Sequence, residues 1–205
     1  LGGYGLRIVF LRDREQSLDK SLTTSCQLLD TENLPTVDVL IAARDEEAVV
    51  ERLVEHIACL AYPKNKLSIW IIDDGSKDQT PFLLEKLKGV HKNLEVIRRP
   101  SSAGGGKSGA LNKALIQAKG DWLFILDADA QLQEDSLHRL ISFARKGGWS
   151  AVQLRKAVIN APHNQLTRFQ AMEMAMDAVI QQGRLAGGGA VELRGNGQLL
   201  LRTAL

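Results

Sequence analysis

DWLFILDADA, residues Asp121–Ala130, joins five consecutive apolar residues to two aspartates, Asp127 and Asp129. An apolar run of this length, Trp122–Leu126, favours a strand buried on both faces, as in a parallel sheet covered by helices. Carboxylates directly after such a strand lie at its carboxyl end, where open α/β sheets bind ligands. Two hard oxygen donors at that position suit Mg²⁺ or Mn²⁺ and, through the metal, a substrate diphosphate. The alternative is an ordinary turn, because Asp is common where strands stop.

Strand and helix patterns alternate on both sides of this stretch. Further strands are predicted at 36–44, 67–72, 94–98 and 150–154, each a short and mostly apolar run. Helices are predicted to begin at 45–47 and at 78–81, and to cover 110–118, 134–146 and 166–185. The alternation over residues 36–154 predicts a three-layer α/β fold with a mostly parallel central sheet and right-handed crossovers. This architecture is typical of nucleotide binding.

The last predicted helix, 166–185, carries several large apolar side chains. Apolar residues of a helix are more often buried in the core than exposed to lipid. We therefore interpret these side chains as part of the core. They are Phe169, Met172, Met176, Val179 and Ile180.

Composition and charge describe an ordinary globular domain within a chain of 205 residues. The apolar and charged fractions, 44% and 24%, exclude a disordered chain, and the net charge of +2 gives no nucleic-acid footprint. Cys26 and Cys59 form neither a metal-ligand pattern nor a disulfide framework. No stretch approaches the roughly 20 apolar residues that cross a bilayer. We therefore predict no nucleic-acid partner and a reducing compartment.

The ends of the chain indicate a piece of a longer protein. The chain begins at Leu1 rather than Met and stops within an apolar-rich segment. Residues 1–34 are predicted to be a lead-in or linker, and residues 35–205 a single domain. The glycine-rich, apolar start is also compatible with the cytosolic exit of a membrane helix that lies outside this stretch.

The loop SSAGGGKSG, Ser101–Gly109, raises the alternative of a P-loop NTPase. It follows the predicted strand 94–98 and precedes a helix, and the later run WLFILD imitates a Walker B strand. The pattern G-x-x-x-x-G-K-[ST] needs glycine at position 101, where this chain has Ser101. The loop also follows an earlier strand that ends in acids, Asp73 and Asp74, which an NTPase would not require. The NTPase interpretation is therefore disfavoured.

Six segments in their order resemble the family 2 glycosyltransferases, which are inverting enzymes with a GT-A (Rossmann-like) fold. The likeness runs from about residue 35 to residue 205 and is greatest to the membrane-attached branch of cellulose, hyaluronan, poly-N-acetylglucosamine and glycolipid synthases. Each segment is short, but their order and spacing together are specific. The segments are VDVLIAARDEE (37–47), IIDDGSKDQT (71–80), AGGGKSGALNKAL (103–115), LFILDADA (123–130), AVQ (151–153) and GNGQLLLR (195–202).

The resemblance implies a UDP-sugar donor, with its uracil and ribose beyond the first two strands. The residues expected there are Ala43, Arg44 and Glu46, together with Asp73 and Asp74. In the family a carboxylate of the DDGS segment accepts a hydrogen bond from the uracil imide, as an acceptor-only group can. A plain turn is the alternative for this segment.

The resemblance also assigns roles around the diphosphate. Lys107, in a glycine loop at a helix start, is expected to approach the nucleotide, although a solvated loop lysine is the simpler interpretation. Asp127 would contact the ribose and the metal, and Asp129 the metal, so that Mg²⁺ or Mn²⁺ neutralises the departing diphosphate. The protein then needs no acid for the leaving group.

Two weaker signals resemble the sugar and acceptor side. Gln153, with Asn160, resembles a segment that lines the donor-sugar pocket, but polar ends of a strand and loop would look the same. The turn Gly195, Asn196 and Gly197 resembles the family's acceptor-side turn, where glycine lets a sugar approach the backbone. A plain hairpin turn is the alternative.

The resemblance places the general base in a TED or ED motif after the GNG segment, beyond Leu205. Glu192 precedes the turn and does not match that position. We therefore expect transfer from a UDP-sugar to a polysaccharide or lipid hydroxyl, at the cytoplasmic face of a membrane reached through segments outside this stretch. A catalytically silent nucleotide-sugar binding module and a nucleotidyltransferase remain alternatives.

Overall fold

The structure, a computed structural model, describes residues 4–7, 33–158, 164–188 and 191–205, with the backbone alone at 4–7 and 155–158. Of the predicted lead-in, residues 1–34, only 4–7 and 33–34 are described; its other residues and Asn160 lie outside the described residues. Within the described ranges the strands are β1 (Tyr4–Arg7), β2 (Val37–Ala43), β3 (Leu67–Asp73), β4 (Leu94–Arg98), β5 (Trp122–Leu126), β6 (Ala130–Gln131), β7 (Ala151–Gln153), β8 (Arg155–Val158) and β9 (Gln198–Leu201). The helices are α1 (Val50–Ala58), α2 (Thr80–Val90), α3 (Gly106–Leu115), α4 (Ser136–Gly147) and α5 (Gln165–Ala186).

The main sheet has six strands in the order β4-β3-β2-β5-β9-β7. The first four are parallel, with Val37 opposite both Leu67 and Trp122, whereas β9 runs antiparallel to β5 and β7. A smaller sheet, β6-β1-β8, pairs β1 parallel to β6 and antiparallel to β8. The prediction of a mostly parallel central sheet is confirmed.

Side chains of the central strands alternate between two apolar clusters, one on each face of the sheet. Val39 and Ile41 of β2 are buried in the cluster that also contains the apolar faces of α1, α2 and α4. Leu40, between them, is buried in the opposite cluster with Ala110 and Ala114 of α3. The sheet is therefore a middle layer, and only small alanines of α3 allow that helix to lie close to it.

Two helices begin elsewhere than the sequence predicts. Helix α1 begins at Val50, because Asp45 has φ 55° and the acids after β2 form loop hydrogen bonds instead of a first turn. Helix α3 begins at Gly106, four residues before the predicted Ala110, and its N-cap Gly105 has φ 72°. Each glycine disfavours a helix by about 1 kcal/mol relative to alanine. Contacts between Arg99 and this loop offset that cost.

The interpretation of α5 as a core helix is wrong. Its large apolar side chains are more than half exposed, because α1, α2, α3 and α4 already fill both faces of the sheet. The exposed residues are Leu166, Phe169, Met172, Met176, Val179 and Ile180. In the described part of the chain no helix combines the length and apolarity needed to cross a bilayer.

Candidate functional site

The carboxyl ends of β2, β3 and β5 lie side by side at one edge of the sheet. Ala43 and Asp73 are direct partners at the end of the β2–β3 pair, and Ala43 accepts a hydrogen bond of 2.9 Å from the backbone N–H of Asp74. Strand β5 ends one residue before Asp127, on the other side of β2. Parallel strands therefore bring three of the predicted donor-site segments to a single edge.

The turn after β3 is tightly built around a buried carboxylate. Asp73 is 1% exposed, and its Oδ1 accepts a hydrogen bond of 2.9 Å from the Ser76 N–H. Its Oδ2 is buried and makes no hydrogen bond to the described residues, although Arg98 Nε lies 3.4 Å away. The ion pair with Arg98 compensates the charge of this buried carboxylate, which is therefore part of the framework of the turn.

Glycine is required at position 75 of the same turn. Gly75 has φ 78°, a left-handed conformation that other residues rarely adopt. A Cβ on Gly75 would lie 2.6 Å from the N and Cα atoms of Ser101. The DDGS turn and the start of the glycine loop are therefore in direct backbone contact.

The loops after β2 and β3 exchange hydrogen bonds. Asp45 N–H donates to Ser76 Oγ at 3.0 Å, and Asp45 Oδ1 accepts from the Lys77 N–H at 2.7 Å. Glu46 N–H donates to Thr80 Oγ1 at 2.9 Å. These bonds make the two loops one unit and hold Glu46 beside the acids of the site.

Arg99 joins the DDGS turn to the glycine loop, and the sequence analysis missed it. Its guanidinium is buried; Nη1 donates to Asp74 Oδ1 at 2.6 Å and Nη2 donates to the Gly104 carbonyl at 2.6 Å. A Cβ on Gly109 would lie 3.0 Å from Nη2, so glycine there leaves room for the guanidinium. The signal that could have found Arg99 is its place directly after β4, at the carboxyl edge where the acids also gather.

Lys107 lies between the two aspartate segments and the GNG turn. Its Nζ donates to Asp127 Oδ1 and, at 3.0 Å, to the Gly195 carbonyl. The ammonium and the carboxylate both remain partly exposed. Lys107 is therefore placed at the metal-binding candidate rather than in open solvent, which disfavours the simpler interpretation of a solvated loop lysine.

The GNG turn is anchored on β5 and β7. Asn196 is 2% exposed, and its Oδ1 accepts a hydrogen bond of 3.1 Å from the backbone N–H of Asp127. Gln153 Nε2 donates to the Asn196 carbonyl at 2.7 Å, and Gln153 Oε1 accepts from the Arg194 N–H at 2.8 Å. Gly197, with φ 80°, donates to the Ile125 carbonyl at 2.8 Å. Gln153 thus uses both ends of its amide to hold this turn.

Negative charge accumulates at the mouth of the site. Burial raises the pKa of the Glu46 carboxyl, and the charges of Asp129, Asp78, Asp127 and Asp45 raise it further. Asp129 itself is exposed. A cation bound to this cluster would relieve the repulsion.

The donor set fits a divalent cation of the Mg²⁺ or Mn²⁺ type. Asp127 and Asp129 offer carboxylate oxygens, the ligands that such ions prefer. Among the described residues no three or more His, Cys, Asp or Glu side chains surround a position for a metal. Oxygens of a bound diphosphate and water would therefore complete the coordination, as is usual for Mg²⁺.

The predicted site residues within the described ranges lie at this edge, including Arg44, which directly follows Ala43. Arg44 has an exposed guanidinium, and its Nε lies 4.0 Å from Asp45 Oδ2. The others are Ala43, Glu46, Asp73, Asp74, Lys107, Asp127, Asp129, Gln153, Gly195, Asn196 and Gly197.

Two solved structures that share this fold contain a nucleotide sugar. The mannosyltransferase PcManGT from Pyrobaculum calidifontis, in complex with GDP-Man and Mn²⁺, aligns with 68% of this chain and 41% of its own, with a TM-score of 0.56 and 26% identity. Residues 1–349 of S. aureus TarS in complex with UDP-GlcNAc align with 58% of this chain and 33% of their own, with a TM-score of 0.51 and 26% identity. The fold is therefore the GT-A fold of glycosyltransferases, as the resemblance implied.

The chain belongs to glycosyl transferase family 2, which matches residues 38–205. The beta-monoglucosyldiacylglycerol synthase of Synechocystis sp. is 44% identical over 171 residues, which cover 83% of this chain and 36% of that protein. The synthase of the same name from Trichormus variabilis is 42% identical over 205 residues, covering 100% of this chain and 42% of that protein. This chain thus spans less than half the length of these relatives. The predicted family and class of enzyme are confirmed.

Proposed function

We propose that this chain is the donor-binding part of an inverting glycosyltransferase that moves a glucosyl group from UDP-glucose to the free hydroxyl of a diacylglycerol. The observation that carries the proposal is the contact of Lys107 with both Asp127 and the GNG turn, beside the DDGS turn. The names of the two glycolipid synthases at 42–44% identity support a glucosyl group and a lipid acceptor. They favour a lipid over a polysaccharide among the acceptors that the sequence left open.

The nucleotide lies, in this proposal, on the DDGS turn. A carboxylate of this turn, Asp73 or Asp74, accepts from the uracil imide. Asp74 is held by Arg99, so the turn and the glycine loop keep a fixed spacing for the ribose and diphosphate. Guanine presents a different hydrogen-bonding edge from uracil, so the identity of the base in the donor nucleotide is the first property to test.

The diphosphate lies between the glycine loop and the two aspartates. Lys107 leaves Asp127 and donates to a phosphate oxygen, while Asp127 and Asp129 hold the divalent cation. The cation supplies positive charge for the leaving UDP. A divalent cation held by Asp127 would take the place of Lys107 at that carboxylate, and the Lys107 ammonium would then donate to a phosphate oxygen.

Transfer takes place on the GNG side of the site. The acceptor oxygen attacks the anomeric carbon from the face opposite the diphosphate, and the bond from that carbon to the phosphate oxygen breaks. The turn, fixed by Asn196 and Gln153, presents backbone at which a sugar can approach closely. We assign removal of the acceptor proton to a residue after Leu205, as the resemblance implies. We also place the whole protein at the cytoplasmic face of a membrane, through segments outside this chain.

Calorimetric titration with Mn²⁺ tests the donor. UDP-glucose is expected to bind at least tenfold more tightly than ADP-glucose or GDP-mannose. Preference for the guanine or adenine nucleotide would contradict the uridine assignment. Release of pyrophosphate from UTP and glucose 1-phosphate would instead identify a nucleotidyltransferase.

A further inference from the structure

An open apolar groove runs between helix α5 and the edge of the main sheet. It has a volume of about 900 Å³. One wall is the row Phe169, Met172, Met176 and Ile180 of α5, and the other includes Trp149 and Val152. A groove of this size is comparable to the pockets that hold small ligands.

The wall on α5 is exposed to a degree that is unusual for a domain surface. Phe169, Met172, Met176 and Ile180 are between 52% and 66% exposed. Their spacing of three to four residues places them on one face of the helix. Contiguous apolar surface of this kind marks a binding site, and the flexible methionines let it adapt to an occupant of variable shape.

The charged residues that line the groove are three acids and one base, Glu173, Asp177, Glu192 and Arg194, and Arg194 pairs with two of the acids. Arg194 Nη2 lies 2.8 Å from Asp177 Oδ1, and Arg184 Nη1 lies 3.6 Å from Glu192 Oε1. Helix α5 carries two basic and two acidic residues, unlike the Lys- and Arg-rich helices that lie on anionic membrane surfaces. Because more acids than bases line the groove, an anionic lipid is disfavoured and an uncharged apolar occupant is favoured.

The groove leads to the candidate site. Gln153 and Arg194 both line it, and these two residues hold the GNG turn through the bond from the Arg194 N–H to Gln153 Oε1. The GNG turn also contacts the backbone of Asp127, through the side chain of Asn196. A molecule in the groove therefore reaches the acceptor side of the site with one end.

We propose that this groove binds the acyl chains of a diacylglycerol, with the free hydroxyl at the GNG turn. The proposal rests on the proposed function for the identity of the acceptor. In this proposal α5 binds the acceptor and takes no part in binding the donor. An uncharged lipid with a hydroxyl end and apolar tails matches both the acidic rim, which can accept hydrogen bonds, and the apolar walls.

Trp149 provides a reporter inside the groove. The chain is titrated, in uncharged detergent micelles, with a diacylglycerol whose acyl chains carry bromine, a contact quencher of tryptophan fluorescence. Saturable quenching is expected, and Trp149→Phe should remove most of it. The double variant Met176→Gln/Ile180→Gln should weaken the apparent affinity at least tenfold. Ile116→Gln, at an exposed apolar residue outside the groove, is the matched control and should change nothing.

Three results would overturn the proposal. The first is the absence of Trp149 quenching. The second is equal quenching by brominated phosphatidylcholine; because that lipid has no free hydroxyl, this result would indicate a general lipid surface. The third is a dimer in light scattering that the double variant abolishes, which would assign the groove to a second copy of the chain. UDP-glucose binding, measured on the same variants, separates the two proposals. Quenching of Trp149 without binding of UDP-glucose would reject the proposed donor but would still support the proposed lipid-binding groove.

Discussion

The guanidinium of Arg99 donates to the carboxylate of Asp74 at 2.6 Å and, with its other nitrogen, to the carbonyl of Gly104 at 2.6 Å. One buried side chain therefore sets the distance between the DDGS turn, on which we place the uridine, and the glycine loop, on which we place the diphosphate. The contact with Asp74 spans 25 residues of sequence, whereas the contact with Gly104 spans five.

Replacing Arg99 is expected to loosen this link. Breaking a buried ion pair by removing one partner costs about 3–5 kcal/mol, so Arg99→Met should lower the free energy of unfolding by roughly that amount. Arg99→Lys should recover part of the stability, but only a small part of the UDP affinity, because lysine cannot reach both loops with a planar fork. Urea unfolding and calorimetry measure the two effects. Arg52→Met, on the exposed face of α1, is the control; an equal loss there would contradict the account.

The close approach of the DDGS turn to the glycine loop gives a second test. Gly75→Ala adds a Cβ at 2.6 Å from the Ser101 backbone and strains a φ of 78°. The free energy of unfolding should fall by more than about 2 kcal/mol. Gly89→Ala, inside α2 with open space around its Cβ, should instead raise stability by about 0.5–1 kcal/mol. Matching effects at the two glycines would mean that the turn and the loop are not in contact.

Lys107 should distinguish the diphosphate from the nucleoside. A charged hydrogen bond is worth about 1.5–3 kcal/mol, so Lys107→Met should weaken UDP binding by roughly ten- to a hundredfold and leave uridine binding unchanged. Lys113→Met, exposed on the same helix, should affect neither. If uridine affinity falls as much as UDP affinity, Lys107 supports the loop rather than the phosphates.

The acidic cluster predicts a pH dependence of stability. Because burial and the neighbouring carboxylates raise the folded-state pKa of Glu46, its ionised form disfavours the folded state. That penalty is absent below the unfolded pKa of about 4.3 and complete above the folded pKa. Glu46→Gln should therefore raise the unfolding midpoint at neutral pH and not below about pH 4. Saturating Mn²⁺ should reduce this increase in the unfolding midpoint. Glu85→Gln, at an exposed glutamate on α2, is the control and should not change the midpoint in a pH-dependent way.

The sheet could be predicted from the sequence because its signals are local. The run Trp122–Leu126 forms β5 with the predicted bounds, and the acids after β3 and β5 lie at one edge because parallel strands share a direction. The start of α3 could not be predicted, because glycines at 104–106 argue against a helix and the pattern does not show that Arg99 donates to their carbonyls. The role of Gln153 in holding the GNG turn depends on a contact across 43 residues.

Helix α5 shows where apolar pattern alone misleads. The predicted extent, 166–185, differs by one residue at each end from the observed helix, which Asn164 caps and Gly187 follows. The burial of its apolar face depended on whether the domain had room for another core helix. The four other described helices occupy both faces of the sheet, and α5 is left with its row of methionines exposed.

The most direct test is the titration of UDP into the chain with and without Mn²⁺, repeated with Asp129→Asn. Mn²⁺ should strengthen UDP binding to the original chain at least tenfold and leave binding to Asp129→Asn almost unchanged. Asp135→Asn, an exposed aspartate before α4, should behave as the original chain. Circular dichroism of Asp129→Asn should remain unchanged. Binding of UDP that ignores Mn²⁺, or that keeps its full Mn²⁺ dependence in Asp129→Asn, would contradict the assignment of the two aspartates as the metal site of a glycosyltransferase.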